Sequence, residues 1–162
     1  SGINHGSNAS VSVLYSGTMA AALEGCLYGI PSVGFSLSSF SKTADFSPSK
    51  KFIRIIMKLL VNESLPDGIC LNVNIPALPE DQIRGIRVCR QARGNWKEEF
   101  EKRRDPMGKT YYWLTGMFNN HEPDATDTDE WNLSNGYVSV VPVSVDMTAY
   151  GYIDTLKEKF GK

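Results

Sequence analysis

The sequence predicts an α/β fold: a parallel sheet covered by helices, then a strand-rich C-terminal extension and a terminal helix. Three observations carry this. Between residues 1 and 76, short apolar runs alternate with segments of helical periodicity, the pattern of strands joined by crossover helices. Past Pro79 the helical segments stop, and runs rich in β-branched and aromatic residues take over. Thr148–Phe160 then closes the chain with Ile153, Leu156 and Phe160 spaced for one face of a helix.

Element by element, Ser1-Gly2-Ile3-Asn4 reads as a strand just ending, so sequence ahead of Ser1 is expected. Residues 2–10 (GINHGSNAS) are turn formers without apolar periodicity and predict a loop. Thr18–Leu27 is rich in Ala and Leu and predicts a helix, with Ser16 or Thr18 as its N-cap. Apolar residues all round that helix predict burial. Gly29 and Pro31 end it, and Ser32–Leu37 alternates small and apolar residues, as a strand packed against a helix does. After a Ser-rich loop over 38–48, Phe52, Ile55, Ile56, Leu59 and Leu60 recur at helical spacing opposite Lys50, Lys51, Arg54 and Lys58. Pro66-Asp67-Gly68 turns the chain into a strand over Ile69–Ile75, closed by Pro76.

In the second half, residues 86–90, 110–114 and 137–143 read as strands. The segment 97–105 (KEEFEKRRD) reads as a solvated charged stretch between the first two, and 119–135 as a polar loop. Tyr111-Tyr112-Trp113 reads as core or interface. The change of character at Pro79 divides the chain into an α/β core part, 1–79, and a β-rich extension with its terminal helix, 80–162.

A length of 162 residues suffices for one α/β domain with a proper core. With 41% apolar and 22% charged residues the composition is that of a soluble globular protein. A net charge of −1 supplies no field for a nucleic-acid backbone and gives a duplex-binding role no electrostatic support. A phosphate-bearing partner is therefore small and held locally. No apolar run approaches the ~18–20 residues of a membrane span, and the chain does not open on a signal peptide. Cys26, Cys70 and Cys89 are odd in number, lack CxxC spacing and have apolar neighbours. They predict buried free thiols in a reducing compartment, hence a cytoplasmic protein.

The chemistry concentrates in residues 1–18, where a polar, glycine-containing loop feeds a helix start. The first N–H groups of a helix lack intrahelical partners and the macrodipole adds positive potential, so an anion settles there. Ser16 and Thr18 add hydroxyl donors, and Gly17 lets a ligand approach the backbone. Asn4 and Asn8 bring amides that can ligate a hard cation through oxygen or donate to phosphate through nitrogen. Spacing alone equally fits a capped helix behind an ordinary turn. His5 reads as an exposed loop residue or a proton donor, and His121 as solvated. Asp124, Asp127, Asp129 and Glu130 lack the glycine and ligand alternation of a calcium loop and read as solvated. No GxGxxG follows a strand, which disfavours a dinucleotide-binding oxidoreductase.

The pattern SGIN-x-G-x-N at Ser1–Asn8, then YSGT-x-A-A-A-x-E-G at Tyr15–Gly25, resembles the signature of the stationary-phase survival protein SurE family. The resemblance continues through Gly29-Ile30-Pro31-Ser32, Asn72-Val73-Asn74-Ile75-Pro76, Asp105-Pro106-Met107-Gly108-Lys109 and Tyr111-Tyr112-Trp113. Thr128-Asp129, Gly136-Tyr137-Val138-Ser139 and Asp146-Met147-Thr148 complete it, in order across essentially the whole chain. It implies a Rossmann-like three-layer α/β/α core, incomplete here, with a C-terminal extension exchanged between subunits of a dimer or dimer of dimers. It implies hydrolysis of nucleoside 5′- and 3′-monophosphates, and in some members short polyphosphate, with one divalent metal ion, Mg²⁺ or Mn²⁺, per subunit. By that match Asn4 is a metal ligand and catalytic residue. Asn8, Ser16, Gly17 and Thr18 surround the phosphate, Ser16 and Thr18 with catalytic roles.

Two departures qualify the resemblance. The family's Asp-Asp pair and metal-site serine belong upstream of Ser-Gly-Ile-Asn, so this chain is expected to hold an incomplete metal site. Many members carry Leu-Gly-Asp-Asp after the second asparagine, where Ala9-Ser10-Val11-Ser12 stands here, which removes two carboxylates from the loop. The alternative to an enzyme is a phosphate- or nucleotide-binding fragment without turnover, or a structural half of an assembly.

Overall fold

The computed structural model describes residues 1–161, apart from the side chain of Glu98. In chain order it runs β1 (Asn4–His5), a short 3-10 helix (Ser10–Tyr15), α1 (Gly17–Leu27), β2 (Val33–Ser38), α2 (Ser47–Asn62) and β3 (Ile69–Pro76). There follow β4 (Ile86–Val88), β5 (Gly94–Arg104), β6 (Thr110–Asn120), α3 (Asp129–Ser134), β7 (Val138–Ser144) and α4 (Tyr150–Phe160). A five-stranded sheet is ordered β1-β2-β3-β7-β4, and β5 and β6 form a separate two-stranded ribbon.

Strands β1, β2 and β3 are mutually parallel, as the alternation before residue 76 predicts. β7 runs antiparallel to β3, and β4 parallel to β7. Strands from both sides of residue 79 thus share one sheet. The two helices cover opposite faces because alternate residues of a strand point to opposite sides. Leu71, Val73 and Ile75 of β3 meet Phe52, Ile56 and Leu60 of α2. Cys70, one step out of phase, packs with Met19, Ala22 and Cys26 of α1. This is the α/β/α layering, with each helix laying one apolar stripe on the sheet.

Four expectations are corrected. α1 is not buried all round: Met19, Ala22 and Cys26 are inside, whereas Leu27 is 65% exposed. It lies on one face of the sheet, and its small Ala residues leave the other side to water. The charged segment 97–105 is no spacer but the body of β5, paired residue for residue with β6 from Gly94↔Asn120 to Arg104↔Thr110. A two-stranded ribbon with water on both faces needs no apolar alternation, so Lys and Glu are tolerated. Tyr112 and Trp113 stand on this ribbon more than half exposed, outside the core. The polar stretch 119–135 contains α3, and its Thr128, Asp129 and Asn132 are buried. The three cysteines are free, with Cys26 and Cys70 buried and Cys89 half-buried. Among the described residues no helix is long and apolar enough to cross a membrane.

Candidate active site

The parallel strands end on the loop that follows β1, the edge where open α/β sheets bind ligands. Gly6 makes that turn with φ 91°, and its N–H donates to both Leu37 O (3.0 Å) and Ser39 O (2.9 Å). A Cβ on Gly6 would stand 2.7 Å from Phe40 Cζ, so only glycine fits beneath that ring.

Beyond Gly6 a row of polar residues fixes the loop from below. Asn4, Ser36, Asn74 and Ser139 are register neighbours across β1, β2, β3 and β7. The Asn8 N–H donates to Asn74 Oδ1 (2.7 Å), Asn8 Nδ2 donates to Ser36 Oγ (2.6 Å), and Asn8 O accepts from Asn72 Nδ2 (2.8 Å). Ser7 Oγ also donates to Asn74 Oδ1 (3.3 Å), while Asn74 Nδ2 donates to Asn72 Oδ1 (3.0 Å). Buried amides satisfied in this way are rigid, since every break strands a polar group away from water. Two residues on, Ser10 is held at φ 51° by its N–H on Asp129 Oδ2 (2.8 Å) and its Oγ on Ala92 O (2.8 Å).

Above the loop opens a cleft of about 530 Å³, lined by Asn4, Ser7 and Asn8 together with Phe40 and Trp96. Half-buried Asn4 donates its Nδ2 to Gly6 O (3.0 Å), which leaves Oδ1 as its open ligating atom. A divalent cation takes six or more oxygens, so Asn4 fits as one donor of a larger set. Among the described residues no three His, Cys, Asp or Glu side chains cluster to complete it.

At the start of α1, Ser16 is the N-cap: its Oγ accepts from Met19 N–H (3.0 Å) and its carbonyl from Ala20 N–H (2.9 Å). Gly17 and Thr18 keep unpartnered N–H groups among the described residues. Thr18 touches Gly34, which lies two residues before Ser36 on the same face of β2. The helix start and the Asn8 loop therefore sit side by side on one face of the sheet. The candidate residues do not all share one hollow, however. Asn4 and Asn8 line the cleft, whereas Ser16 lines a second hollow of about 620 Å³ between α1, β7 and residues 89–91.

With capping assigned to Ser16, the roles of the two hydroxyls can be separated. Ser16→Ala is expected to lower stability by about 1 kcal/mol through the lost cap, and Thr18→Ala by less. Paired thermal melts check this, and an equal loss in both would contradict the assignment.

The model of the family described as "Survival protein SurE" matches residues 1–98. The chain belongs to the SurE family. The match takes in the whole loop and helix start and ends inside β5. Relatives include the 5′-nucleotidase SurE of Christiangramia forsetii, 56% identical over 156 residues, and that of Flavobacterium psychrophilum, 53% identical over 156 residues. Each alignment covers 96% of this chain and 60% of the relative, so the chain spans about 60% of those SurE proteins' length. Among solved structures, the SurE protein from Aquifex aeolicus superposes with a TM-score of 0.79 at 38% identity, covering 98% of this chain and 63% of that one.

Reading by motif missed much of what shapes this SurE site. Asn72 and Asn74 sit inside an apolar strand on one face, a signal that was available as two amides at period-two spacing. Asp129, expected among the solvated carboxylates, is instead fully buried and accepts from Ser10, Ala92 and Glu130 N–H groups. Beside it, Glu130 is pushed up to about 7 by burial and by the Asp129 charge. A folded-state pKa above the ordinary 4.5 means the fold favours the protonated form. Its contribution is fully present below pH 4.5 and is lost as pH rises through about 7. Melting temperature should therefore fall across that window, and Glu130→Gln should flatten the fall; parallel curves for the two proteins would contradict this.

Proposed function

We propose that this chain carries part of the active site of a phosphomonoesterase acting on nucleoside 5′- and 3′-monophosphates, and on short polyphosphate. The observation that carries the proposal is one juxtaposition. In a chain of the SurE family, the open Asn4 oxygen and the rigid Asn8 loop line one cleft at the carboxyl edge of the parallel strands, and that loop runs on into the free N-terminus of α1. The names of the relatives, 5′-nucleotidase SurE, agree with it.

In this reading Asn4 Oδ1 is one of the oxygens holding a divalent cation, Mg²⁺ or Mn²⁺. The carboxylates that the family resemblance puts upstream complete the set. When bound, the ion supplies Lewis acidity toward the phosphoryl oxygen and a nucleophilic water at neutral pH. The N–H groups of Gly17 and Thr18, with the Thr18 hydroxyl, face the non-transferring phosphoryl oxygens and stabilise the charge that grows on them. Asn8 keeps its loop in register beneath the phosphate. Ser16 holds the helix end, and no serine or cysteine nucleophile is required.

The same reading makes the protein a cytoplasmic homodimer or dimer of dimers. No residue of α4 is buried, and Phe160 is 80% exposed. That helix is proposed to seat on a second copy. Hydrolysis of 5′- and 3′-AMP by the native-length polypeptide, with and without EDTA and with Mn²⁺ restored, tests the activity. Turnover that EDTA abolishes and Mn²⁺ returns is the expected result. Nucleotide binding without turnover would instead make this a phosphate-binding protein.

A further inference from the structure

A second hollow adjoins the cleft, and the reading above leaves it without a task. It measures about 360 Å³ and is walled by Ser7, Ser38, Leu78, Glu130 and Ser134 among others. Ser7 belongs to both hollows, so the two meet at the Asn8 loop. Ser38 Oγ is buried without a hydrogen-bond partner among the described residues, an open donor where polar atoms are normally satisfied.

Beyond this hollow stand two arginines. Leu78 of its wall and the Arg84 side chain both flank Gly136, and Arg84 Nη1 donates to Asn135 O (3.5 Å), one residue past Ser134. Arg84 and Arg87 both lie over the Tyr137 ring, their guanidinium carbons 4.7 and 3.9 Å from its centroid. Arg87 Nη2 also donates to the Tyr137 hydroxyl (3.2 Å). Arg90, Arg93 and Arg103 each pair with a carboxylate, but among the described residues neither Arg84 nor Arg87 does. Two exposed guanidinium groups gathered on one ring repel each other, and an oxyanion gripped by both removes that repulsion.

Arg87 is the register neighbour of Ser139 and so extends the row that runs from Asn4 through Ser36 and Asn74. At ~4.8 Å per strand it stands roughly 19 Å from Asn4 along the carboxyl edge. A single phosphate is too small to touch both places, whereas a chain of linked phosphates spans them. Tyr15, Phe40 and Leu114 on the cleft's other walls offer such a polyanion no cation; serine hydroxyls and arginines suit it. Glu130 is the one acid among the residues walling the hollow. Burial and the Asp129 charge push it up to about 7, so it opposes a polyanion less than an ordinary carboxylate would.

We propose that the serine-lined hollow and the Arg84–Arg87 pair form a subsite for the trailing phosphates of a short polyphosphate chain whose terminal phosphate sits in the Asn4 cleft. This rests on the phosphomonoesterase reading and adds to it a chain-length rule. Substrates long enough to reach the arginines gain affinity from them; nucleoside monophosphates and pyrophosphate do not.

The test compares kcat/KM for a fractionated polyphosphate long enough to span both places with that for AMP, in the native-length polypeptide. The double variant Arg84→Ala, Arg87→Ala should lower the polyphosphate-to-AMP ratio roughly tenfold or more, the scale of one lost charge-assisted contact. AMP and pyrophosphate turnover should stay unchanged. Arg87→Lys, which keeps the charge without the fork, should lose less. An unchanged ratio in the double variant overturns the proposal. So does an equal loss on both substrates with a lower melting temperature, which would make the arginines structural. If the wild type hydrolyses AMP but not polyphosphate, the subsite is judged by inhibition of AMP turnover. Inhibition by polyphosphate that the double variant relieves supports it; no inhibition, or inhibition equal in both proteins, overturns it. If the wild type hydrolyses neither, the phosphomonoesterase reading fails by itself, and titration calorimetry with the same polyphosphate decides. Binding weakened in the double variant supports the subsite, and absent or equal binding overturns it.

Discussion

Replacing Asp129 by alanine is expected to cost more stability than any other single change at this site, roughly 3–6 kcal/mol, because three buried N–H groups lose their acceptor together. Oδ2 accepts from Ser10 (2.8 Å), while Oδ1 accepts from Ala92 (2.9 Å) and Glu130 (2.8 Å). The carboxylate thereby ties the loop after β1 to the segment before β5 and to the first turn of α3. Burial pushes the acid above the usual carboxylate range, and the same three N–H groups pull it back. Against a total stability of about 5–15 kcal/mol, such a loss leaves a protein close to its unfolding threshold. Asp129→Asn keeps one acceptor oxygen but turns an amide N–H toward another donor, so it should lose less, about 1–3 kcal/mol. Urea melts of wild type, Asp129→Asn and Asp129→Ala should fall in that order. A midpoint for Asp129→Ala equal to that of the wild type would show that the three donors find other partners.

How much of this could be read from the chain depends on whether a residue's neighbours are local. β2, β3 and α2 are legible because their apolar residues follow the period of the element, and α1 because its run of Ala and Leu favours helix. β5 was not: Lys97, Glu99 and Lys102 lie on a ribbon wet on both sides, where no burial pattern selects for strand. α3 was hidden because six residues are too few for a helical period and its inward residues, Asp129 and Asn132, are polar. The loop and helix start stood out through a motif. The groups that fix or flank them come from 28 to 119 residues away, as Ser36, Asn74 and Asp129 do. Such pairs leave no trace in spacing. Trp96 and Phe40 are the same case, because only the fold brings them to one cleft.

For activity, the largest effect is expected at Asn4. Its amide is oriented by the bond from Nδ2 to Gly6 O (3.0 Å), and Gly6 is itself fixed by two backbone carbonyls. Oδ1 is therefore presented to the cleft by a frame with little freedom to move. If that oxygen belongs to the cation's donor set, Asn4→Ala removes a direct ligand. The loss should reach at least the ~10–100-fold in metal affinity that follows from losing a group hydrogen-bonded to a ligand. Asn4→Asp retains an oxygen and adds charge, so it should bind the ion at least as well as the wild type. Electron paramagnetic resonance of free Mn²⁺ in the native-length polypeptide reads binding directly, apart from turnover. Thermal melts without metal establish that all three proteins are folded. Folded Asn4→Ala that takes up Mn²⁺ as the wild type does would remove Asn4 from the metal site. The cleft would then be left to the phosphate.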